Sequence, residues 1–235
     1  MKREYHKNYS PSLNRDMEIL TFGEHGQNFL VFPTSMGRFY EYENSSMVQA
    51  LSWHIENGWV QLTCVDSFDT ESWYNYMAEP RARIKKHLLY DKYILEEVIP
   101  FIIDRTGNPY ICTTGCSFGG FHAVNFAFRH PDVISKVISL SGVFDIRPYL
   151  DGYFDIDCYF NSPMDFMPNM DDEKLLELFR RMKIILVTGE NDFLKEENFR
   201  LSNILNAKGI SHVLDVWGGA DHHWYWWEQQ IRKFV

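Results

Sequence analysis

The sequence lacks the features of a membrane, secreted or nucleic-acid-binding protein. It has no apolar run approaching the roughly 18 residues that a membrane-spanning helix needs. Its first residues, MKREYHKNYSPSLN, lack the apolar segment of a secretory signal. Basic residues number 23 against 32 acidic ones, which gives a formal net charge of -9. Because phosphate binding needs a basic surface, we expect neither nucleic acid nor an anionic membrane as a partner. These absences favour a cytoplasmic protein.

Cysteine is scarce and shows no metal-binding pattern. The four cysteines are Cys64, Cys112, Cys116 and Cys158. Their spacing is unlike that of a zinc site, and without a secretory signal we expect free thiols. The sequence also lacks an EF-hand loop, a phosphate-binding loop and a dinucleotide fingerprint. It therefore predicts no metal and no organic cofactor.

Internal repeats and linker-like changes of composition are also missing, so we expect one domain over residues 1–235. Strand-like apolar runs alternate with helical patterns, which predicts the α/β class, with a mostly parallel sheet and helices on both faces. The early strands, close together in the sequence, are compatible with an antiparallel edge. Residues 145–170 form the one long loop-rich excursion. The predicted strands are Met17–Phe22, Phe29–Phe32, Val60–Val65, Tyr110–Thr114, Lys136–Leu140, Lys183–Thr188 and His212–Trp217. The predicted helices are Glu43–Gly58, Pro80–Ile103, Gly119–Arg129, Asp171–Arg181, Phe193–Lys208 and Trp224–Phe234.

A serine stands between two glycines where a strand pattern gives way to a helix pattern. The segment Gly115-Cys116-Ser117-Phe118-Gly119 matches the G-x-S-x-G nucleophile elbow in the strand–turn–helix context that this motif requires. Glycines permit the close backbone approach of such a turn, and the serine hydroxyl is then exposed above the strand ends. Ser117 is the candidate nucleophile. Cys116 is a competing candidate, although its side chain is expected to point away from the site.

Candidates for an acid and a base follow in the order that this architecture requires. Glu190 and Asp192 come after the strand KIILVT, and His222 and His223 come after the strand HVLDVW. Asp192 is favoured because it stands further from its strand end, although it would also suit a helix cap. Asp145 is a third candidate acid. One of the two histidines is then structural, and Asp221 is expected to cap the terminal helix.

Four segments resemble the esterase family of the α/β-hydrolase superfamily, in its esterase D-like and mycolyltransferase-like branch. They are GCSFGG with FHA, VISLSG, TGEND, and the H-x-W-x-x-W pattern of His222, Trp224 and Trp227, and the resemblance spans residues 29–227. It implies the α/β-hydrolase fold, with His222 as general base and Asp192 as its acid. It also implies an oxyanion hole formed by the amides of Phe118 and Ser35, with Thr34 as the alternative to Ser35. The early loop lacks the HGGG-type run of lipases.

The combined interpretation is a serine esterase that forms an acyl-enzyme on a small or aromatic acyl ester. The expected substrate contacts are Met36, Phe39, Tyr40, Trp73 and Trp224. Two alternatives stay open at this stage, an acyltransferase with the same triad and a non-catalytic binding protein of the same fold. A peptidase is disfavoured, because the chain has no length for the additional domain that such enzymes usually carry. The partner is a small-molecule ester, and a homo-oligomer is compatible with the sequence.

Overall fold

The computed structural model describes all 235 residues, and its eight strands form one sheet. Strand order across the sheet is β1-β2-β4-β3-β5-β6-β7-β8. β1 pairs antiparallel with β2 and β2 antiparallel with β4, while all later pairs are parallel. The α/β-hydrolase prediction of a mostly parallel sheet with an antiparallel early edge is confirmed. The strands are β1 Arg3–Ser10, β2 Arg15–Phe22, β3 Gln27–Phe32, β4 Val60–Val65, β5 Ile111–Cys116, β6 Ile134–Leu140, β7 Lys183–Gly189 and β8 His212–Trp217.

Helices cover both faces of this sheet. α1, α2, α3 and α11 pack on one apolar cluster, and α4, α5, α6, α9 and α10 pack on the other. None of the helices has the length and apolar character that crossing a bilayer requires. The helices are α1 Glu41–Asn44, α2 Met47–Ala50, α3 Ser52–Glu56, α4 Pro80–Tyr93, α5 Ile99–Thr106, α6 Phe118–Arg129, α7 Ile156–Tyr159, α8 Pro163–Phe166, α9 Glu173–Arg181, α10 Lys195–Ala207 and α11 Trp224–Arg232.

The central strands follow from their composition. β4 and β5 are buried at every position, as parallel strands covered on both faces should be. β1 was not predicted, because its residues REYHKNYS are mostly polar and its side chains are largely exposed. It is an edge strand that forms a hairpin with β2, pairing Arg3 with Phe22 and Ser10 with Arg15.

Two predicted helices are interrupted in the structure. The single helix expected over Glu43–Gly58 is three short helices, and Ser46 between the first two has a left-handed φ of 62°. The helix expected over Pro80–Ile103 is α4 and α5 joined by a π-helical segment at Ile94–Val98. The loop-rich excursion carries α7 and α8 and two short 3-10 turns.

The topology brings two loops together at the carboxyl edge of the sheet. β3 lies beside β5, although the chain forms β4 on the other side of β3 before it reaches β5. Loops that leave such neighbouring strands in opposite directions open a crevice, which is the usual ligand site of an open α/β sheet. The loop after β3 contains Ser35 and the turn after β5 contains Ser117.

Candidate active site

Ser117 occupies a strained turn between β5 and α6. Its backbone has φ 55° and ψ -122°, a conformation that costs a non-glycine residue about 1–3 kcal/mol. Neighbouring glycines make the turn sterically feasible. A Cβ on Gly119 would lie 2.5 Å from the carbonyl oxygens of Phe32 and Pro33, and a Cβ on Gly115 would lie 2.4 Å from backbone atoms of Gly119. The predicted elbow geometry is therefore present.

His222 joins the serine to a carboxylate. Its Nε2 lies 3.0 Å from the Ser117 Oγ, and its Nδ1 lies 3.1 Å from the Asp192 Oδ1. The side chain of Asp192 is fully buried, and its Oδ1 also accepts a hydrogen bond of 2.8 Å from the amide of Leu194. A carboxylate at Nδ1 favours the tautomer that keeps this proton on Nδ1 and leaves Nε2 free to accept one.

The pKa of Asp192 reflects two opposing effects. Burial raises it, but hydrogen bonds from His222, from Ser141 and from the amide of Leu194 outweigh burial. The net result is a pKa below the ordinary aspartate value. The carboxylate therefore stays ionised beside the imidazole.

Two aromatic rings hold the His222 imidazole in place. Trp227 meets it edge to face at 4.9 Å between ring centroids, and its Nε1 donates to the Oγ of Ser141 at 2.9 Å. Phe193 lies 4.4 Å from it on another side and is 75% exposed. The resemblance pointed to Trp227 only as part of a sequence pattern. Nothing in the sequence distinguished Phe193 from an ordinary residue at the start of a helix.

The competing acids and bases have other partners. Glu190 accepts from the amide of Gly219 at 3.0 Å, and Asp145 lies near Arg147 and Arg200. His223 is the N-cap of α11, and its Nδ1 accepts from the amide of Tyr225. This corrects the expectation that Asp221 would cap the terminal helix.

Cys116, adjacent to the serine, is 1% exposed and packs in the core beneath the sheet. Burial raises the pKa of its thiol well above the usual value, so the reactive thiolate is disfavoured. The expectation that this side chain points away from the site is met.

In the loop after β3, two of the three consecutive amides of Thr34, Ser35 and Met36 have a partner. The amide of Thr34 donates to the Glu41 Oε2 at 2.7 Å, and the amide of Met36 donates to the Asp69 Oδ2 at 3.0 Å. Ser35, between them, donates its amide to no acceptor in the chain. The first amide of α6, that of Phe118, also has no acceptor. Of the two amides proposed from the sequence for this loop, only that of Ser35 is therefore free.

Glu41 is held at the loop by the backbone and the hydroxyl of Thr34. Burial raises the pKa of Glu41, and these hydrogen bonds oppose that effect only in part. This contact could not be expected from the sequence, because a glutamate at the start of a helix is ordinarily solvated.

Two of the predicted substrate contacts are wrong. Trp73 is 0% exposed and packs against His87 and Phe121, so no substrate can reach it. Phe39 is 9% exposed and belongs to the core beneath the sheet. Loop position alone does not decide which side of a loop a ring takes, and these two rings turn inward.

The other three predicted contacts are accessible. Met36 is 47% exposed and Tyr40 is 41% exposed. Trp224 is half-buried and packs edge to face on Trp227 at 4.9 Å, one ring away from His222. The structure also brings Tyr74 to the site, where its hydroxyl donates to the Ser35 Oγ at 2.6 Å.

A cavity of about 440 Å³ lies at the opposite, amino-terminal edge of the sheet. None of Ser117, Asp192 and His222 lines it. No three or more histidine, cysteine, aspartate or glutamate side chains are grouped so that they could hold a metal ion.

Solved structures resemble this chain over nearly its whole length. A ferulic acid esterase aligns with a TM-score of 0.80 at 15% identity, covering 100% of this chain and 95% of that one. S-formylglutathione hydrolase (FrmB) from Staphylococcus aureus aligns with a TM-score of 0.73 at 15% identity, covering 99% and 96%. MPT51 (FbpC1) of Mycobacterium tuberculosis aligns with a TM-score of 0.70 at 13% identity, covering 100% and 96%. At these identities the likeness establishes the fold.

No curated protein sequence matches the chain at a significant level. The family model described as "Putative esterase" matches residues 59–234, which include the elbow, the acidic turn and the histidine loop. The chain therefore belongs to this esterase family, the serine carboxylic ester hydrolases of the α/β-hydrolase superfamily.

Proposed function

We propose that the protein hydrolyses carboxylic esters through an acyl-enzyme on Ser117, with His222 as general base and Asp192 as its orienting acid. The observation that carries this proposal is the hydrogen-bonded row in which His222 contacts the serine through Nε2 and the aspartate through Nδ1. A serine hydroxyl is a weak nucleophile unless a base takes its proton, and this base is in position to do so.

The reaction has two halves. Ser117 Oγ attacks the ester carbonyl carbon while its proton passes to His222, and the carbonyl oxygen becomes an oxyanion. The tetrahedral intermediate collapses, the alcohol leaves with the proton from His222, and the acyl group stays on the serine. Water then loses a proton to His222 and attacks the acyl carbon, and the serine leaves with that proton. Asp192 stabilises the imidazolium that forms in each half.

The free amides of Ser35 and Phe118 are suited to receive the oxyanion. Each lacks an intramolecular acceptor, and the two lie at the carboxyl edge of neighbouring strands, Ser35 on the loop after β3 and Phe118 at the start of α6. A single donor of this kind raises kcat by a factor of about 10²–10³.

The proposed substrate is an ester with a small or aromatic acyl group. Tyr74 and Tyr149 pack with Phe118 beside Ser35, at centroid distances of 5.1 to 5.2 Å from the Phe118 ring. The Phe118 ring is fully buried, but the two tyrosine rings are half-buried and offer apolar surface next to the proposed oxyanion hole, which suits a planar or short acyl group better than a charged one. Two of the similar structures are named for a ferulic acid esterase and an S-formylglutathione hydrolase.

The test is hydrolysis of p-nitrophenyl acetate, measured as the rate at which p-nitrophenolate is released. We expect hydrolysis by the wild-type protein and a loss on the order of 10⁴ or more in Ser117→Ala, because the residues of such a triad act as a unit. After acid quenching, an acetyl group should be found on the peptide that contains Ser117. Hydrolysis that survives in Ser117→Ala would contradict the proposal. Transfer of the acetyl group to an added alcohol in preference to water would instead identify an acyltransferase.

A further inference from the structure

Asp69 contacts two elements that the proposed mechanism must hold together. It follows β4 in the chain, and its side chain is fully buried. One carboxylate oxygen, Oδ1, lies 2.8 Å from the Nε2 of His122, and the other, Oδ2, accepts the amide of Met36 at 3.0 Å. The carboxylate therefore bridges α6, which begins directly after Ser117, to the loop that contains Ser35.

The helix side of this bridge is rigid. His122 is 3% exposed and lies one turn after Phe118 on α6. Its ring packs edge to face against Phe118 at 5.1 Å and stacks against Phe32 at 5.8 Å. Movement of His122 is therefore coupled to movement of the first turn of α6 and of the end of β3.

The loop side needs a restraint. Met36 has a φ of 55°, a left-handed conformation that a methionine adopts only at a cost of about 1–3 kcal/mol. The hydrogen bond from its amide to Asp69 is the contact that holds this peptide in place. The free Ser35 amide belongs to the preceding peptide, whose Thr34 carbonyl accepts the Gly37 amide at 2.9 Å. The bond at Met36 restrains the peptide on the other side of Ser35, and so it helps to fix the position of Ser35 and its amide.

The turn that contains Asp69 also holds the side chain of Ser35. The Asp69 carbonyl accepts the amide of Tyr74 at 2.9 Å, and the Tyr74 hydroxyl donates to the Ser35 Oγ at 2.6 Å. Two consecutive residues of the loop are thus fixed by one turn, and neither contact uses the Ser35 amide.

We propose that Asp69 is a positioning residue for the oxyanion hole. Through His122 and Met36 it sets the distance between the Ser35 amide and the Ser117 hydroxyl. This inference rests on the proposed esterase mechanism, in which the Ser35 amide stabilises the oxyanion. Displacement of a catalytic donor by about 1 Å can cost on the order of 10² in rate, so a buried bridge at this point has a direct effect on turnover.

The test compares three variants at the bridge with two controls at a second buried pair. Asp69→Leu has a similar shape and removes both hydrogen bonds, whereas Asp69→Asn keeps an acceptor for Met36 and offers an amide N–H to His122. His122→Leu removes the helix side only. The controls are His130→Leu and Asp91→Leu, because His130 Nε2 lies 3.0 Å from the Asp91 carboxylate at the far end of α6 and touches no active-site loop.

We expect Asp69→Leu to lower kcat for p-nitrophenyl acetate by about 10–10² while KM changes by less than about threefold, because only the transition state uses the oxyanion hole. Inhibition by phenylboronic acid, which forms a tetrahedral adduct on the serine, should weaken in parallel with kcat/KM. Asp69→Asn should retain kcat within about fivefold, and the controls should retain kcat even where thermal melting shows lost stability. A folded Asp69→Leu that turns over like Asp91→Leu would overturn the proposal. If Asp69→Leu does not fold, the kcat of His122→Leu is compared with that of His130→Leu. Equal kcat values for these two variants would then overturn the proposal.

Hydrogen exchange of the Met36 amide, measured by NMR, separates this proposal from the esterase mechanism. The amide should exchange slowly in the wild type and in Asp69→Asn and rapidly in Asp69→Leu. If the wild type hydrolyses no ester but shows this exchange pattern, the mechanism fails while the bridge stands. Rapid Met36 exchange in an active wild-type protein would refute the bridge alone.

Discussion

The Nε2 of His222 lies 3.0 Å from the Oγ of Ser117, although 105 positions separate the two residues in the sequence. The sheet creates this contact, because β5 and β8 both end at the carboxyl edge and the loops that follow them meet there. Adjacent to His222 in sequence, His223 has a different task, since it caps α11.

This division of roles between the two histidines gives a direct comparison. His222→Ala should reduce turnover of p-nitrophenyl acetate about as much as Ser117→Ala, because loss of either member disables the unit. His223→Ala should leave turnover within about threefold and lower the melting temperature slightly, since a lost N-cap costs about 0.5–2 kcal/mol. Steady-state kinetics and thermal melts on both variants make the test. Equal and small losses of turnover would remove His222 from the role of base.

The contribution of Asp192 to the free energy of unfolding is expected to depend on pH. Its pKa is lower in the folded protein than its ordinary value, because hydrogen bonds from His222, Ser141 and the Leu194 amide outweigh the opposing effect of burial. The folded state then binds the proton less readily than the unfolded state. The stabilisation is therefore present above the unfolded pKa, near pH 4, and is lost as the pH falls through the lower folded pKa.

The free energy of unfolding of wild type and Asp192→Asn, measured by chemical denaturation, should therefore differ most near neutral pH. The difference should shrink between about pH 4 and pH 2. Glu190→Gln is the control. Glu190 lies in the same loop but is exposed, and its carboxylate accepts a hydrogen bond from the amide of Gly219 rather than from His222. A difference for Asp192→Asn that stays constant down to the lowest pH would refute the lowered pKa.

The fold could be predicted from the sequence because the buried strands are continuous apolar runs separated by helical patterns. β7, which is buried at six of its seven positions, ends within one residue of its predicted bound. β1 could not be predicted, since its residues are polar and only pairing with β2 makes them a strand. The break at Ser46 could not be predicted either, because nothing in the sequence around Ser46 marks a left-handed residue.

The three residues of the hydrogen-bonded row were identified because their order and their positions after strands are constrained by the architecture. Orientation of aromatic rings was not constrained in this way, and Trp73 and Phe39 face the interior. The choice between Thr34 and Ser35 also depended on a partner outside the loop, Glu41, which occupies the Thr34 amide.

The Ser35 backbone, rather than its hydroxyl, is expected to matter for turnover. Ser35→Ala removes only the acceptor for the Tyr74 hydroxyl and should retain most activity. Ser35→Pro removes the free N–H and should lower kcat by about 10²–10³. Thermal melting alongside the kinetics separates loss of the donor from loss of the fold. A stable Ser35→Pro protein with normal kcat would show that the oxyanion is held elsewhere.

Phe193 is expected to contact the alcohol portion of the ester. The base returns its proton to the departing alcohol, so that group must lie near His222, where the exposed Phe193 ring is 4.4 Å from the imidazole. Phe193→Ala should raise KM for phenyl acetate by about 2–10-fold, the equivalent of one aromatic contact, and affect methyl acetate less. Phe193→Tyr, which keeps the ring, is the matched control. An equal change for both esters would show that the ring only supports His222.

Labelling with a fluorophosphonate probe tests the central assignment most directly, because the probe reacts with a serine that a neighbouring base activates. After incubation and proteolysis, mass spectrometry should find the phosphonyl group on Ser117. Labelling should be lost in His222→Ala and kept in His223→Ala and Cys116→Ala. A wild-type protein that is folded but takes up no label, or that carries the label on another residue, would contradict the assignment of Ser117 as the nucleophile.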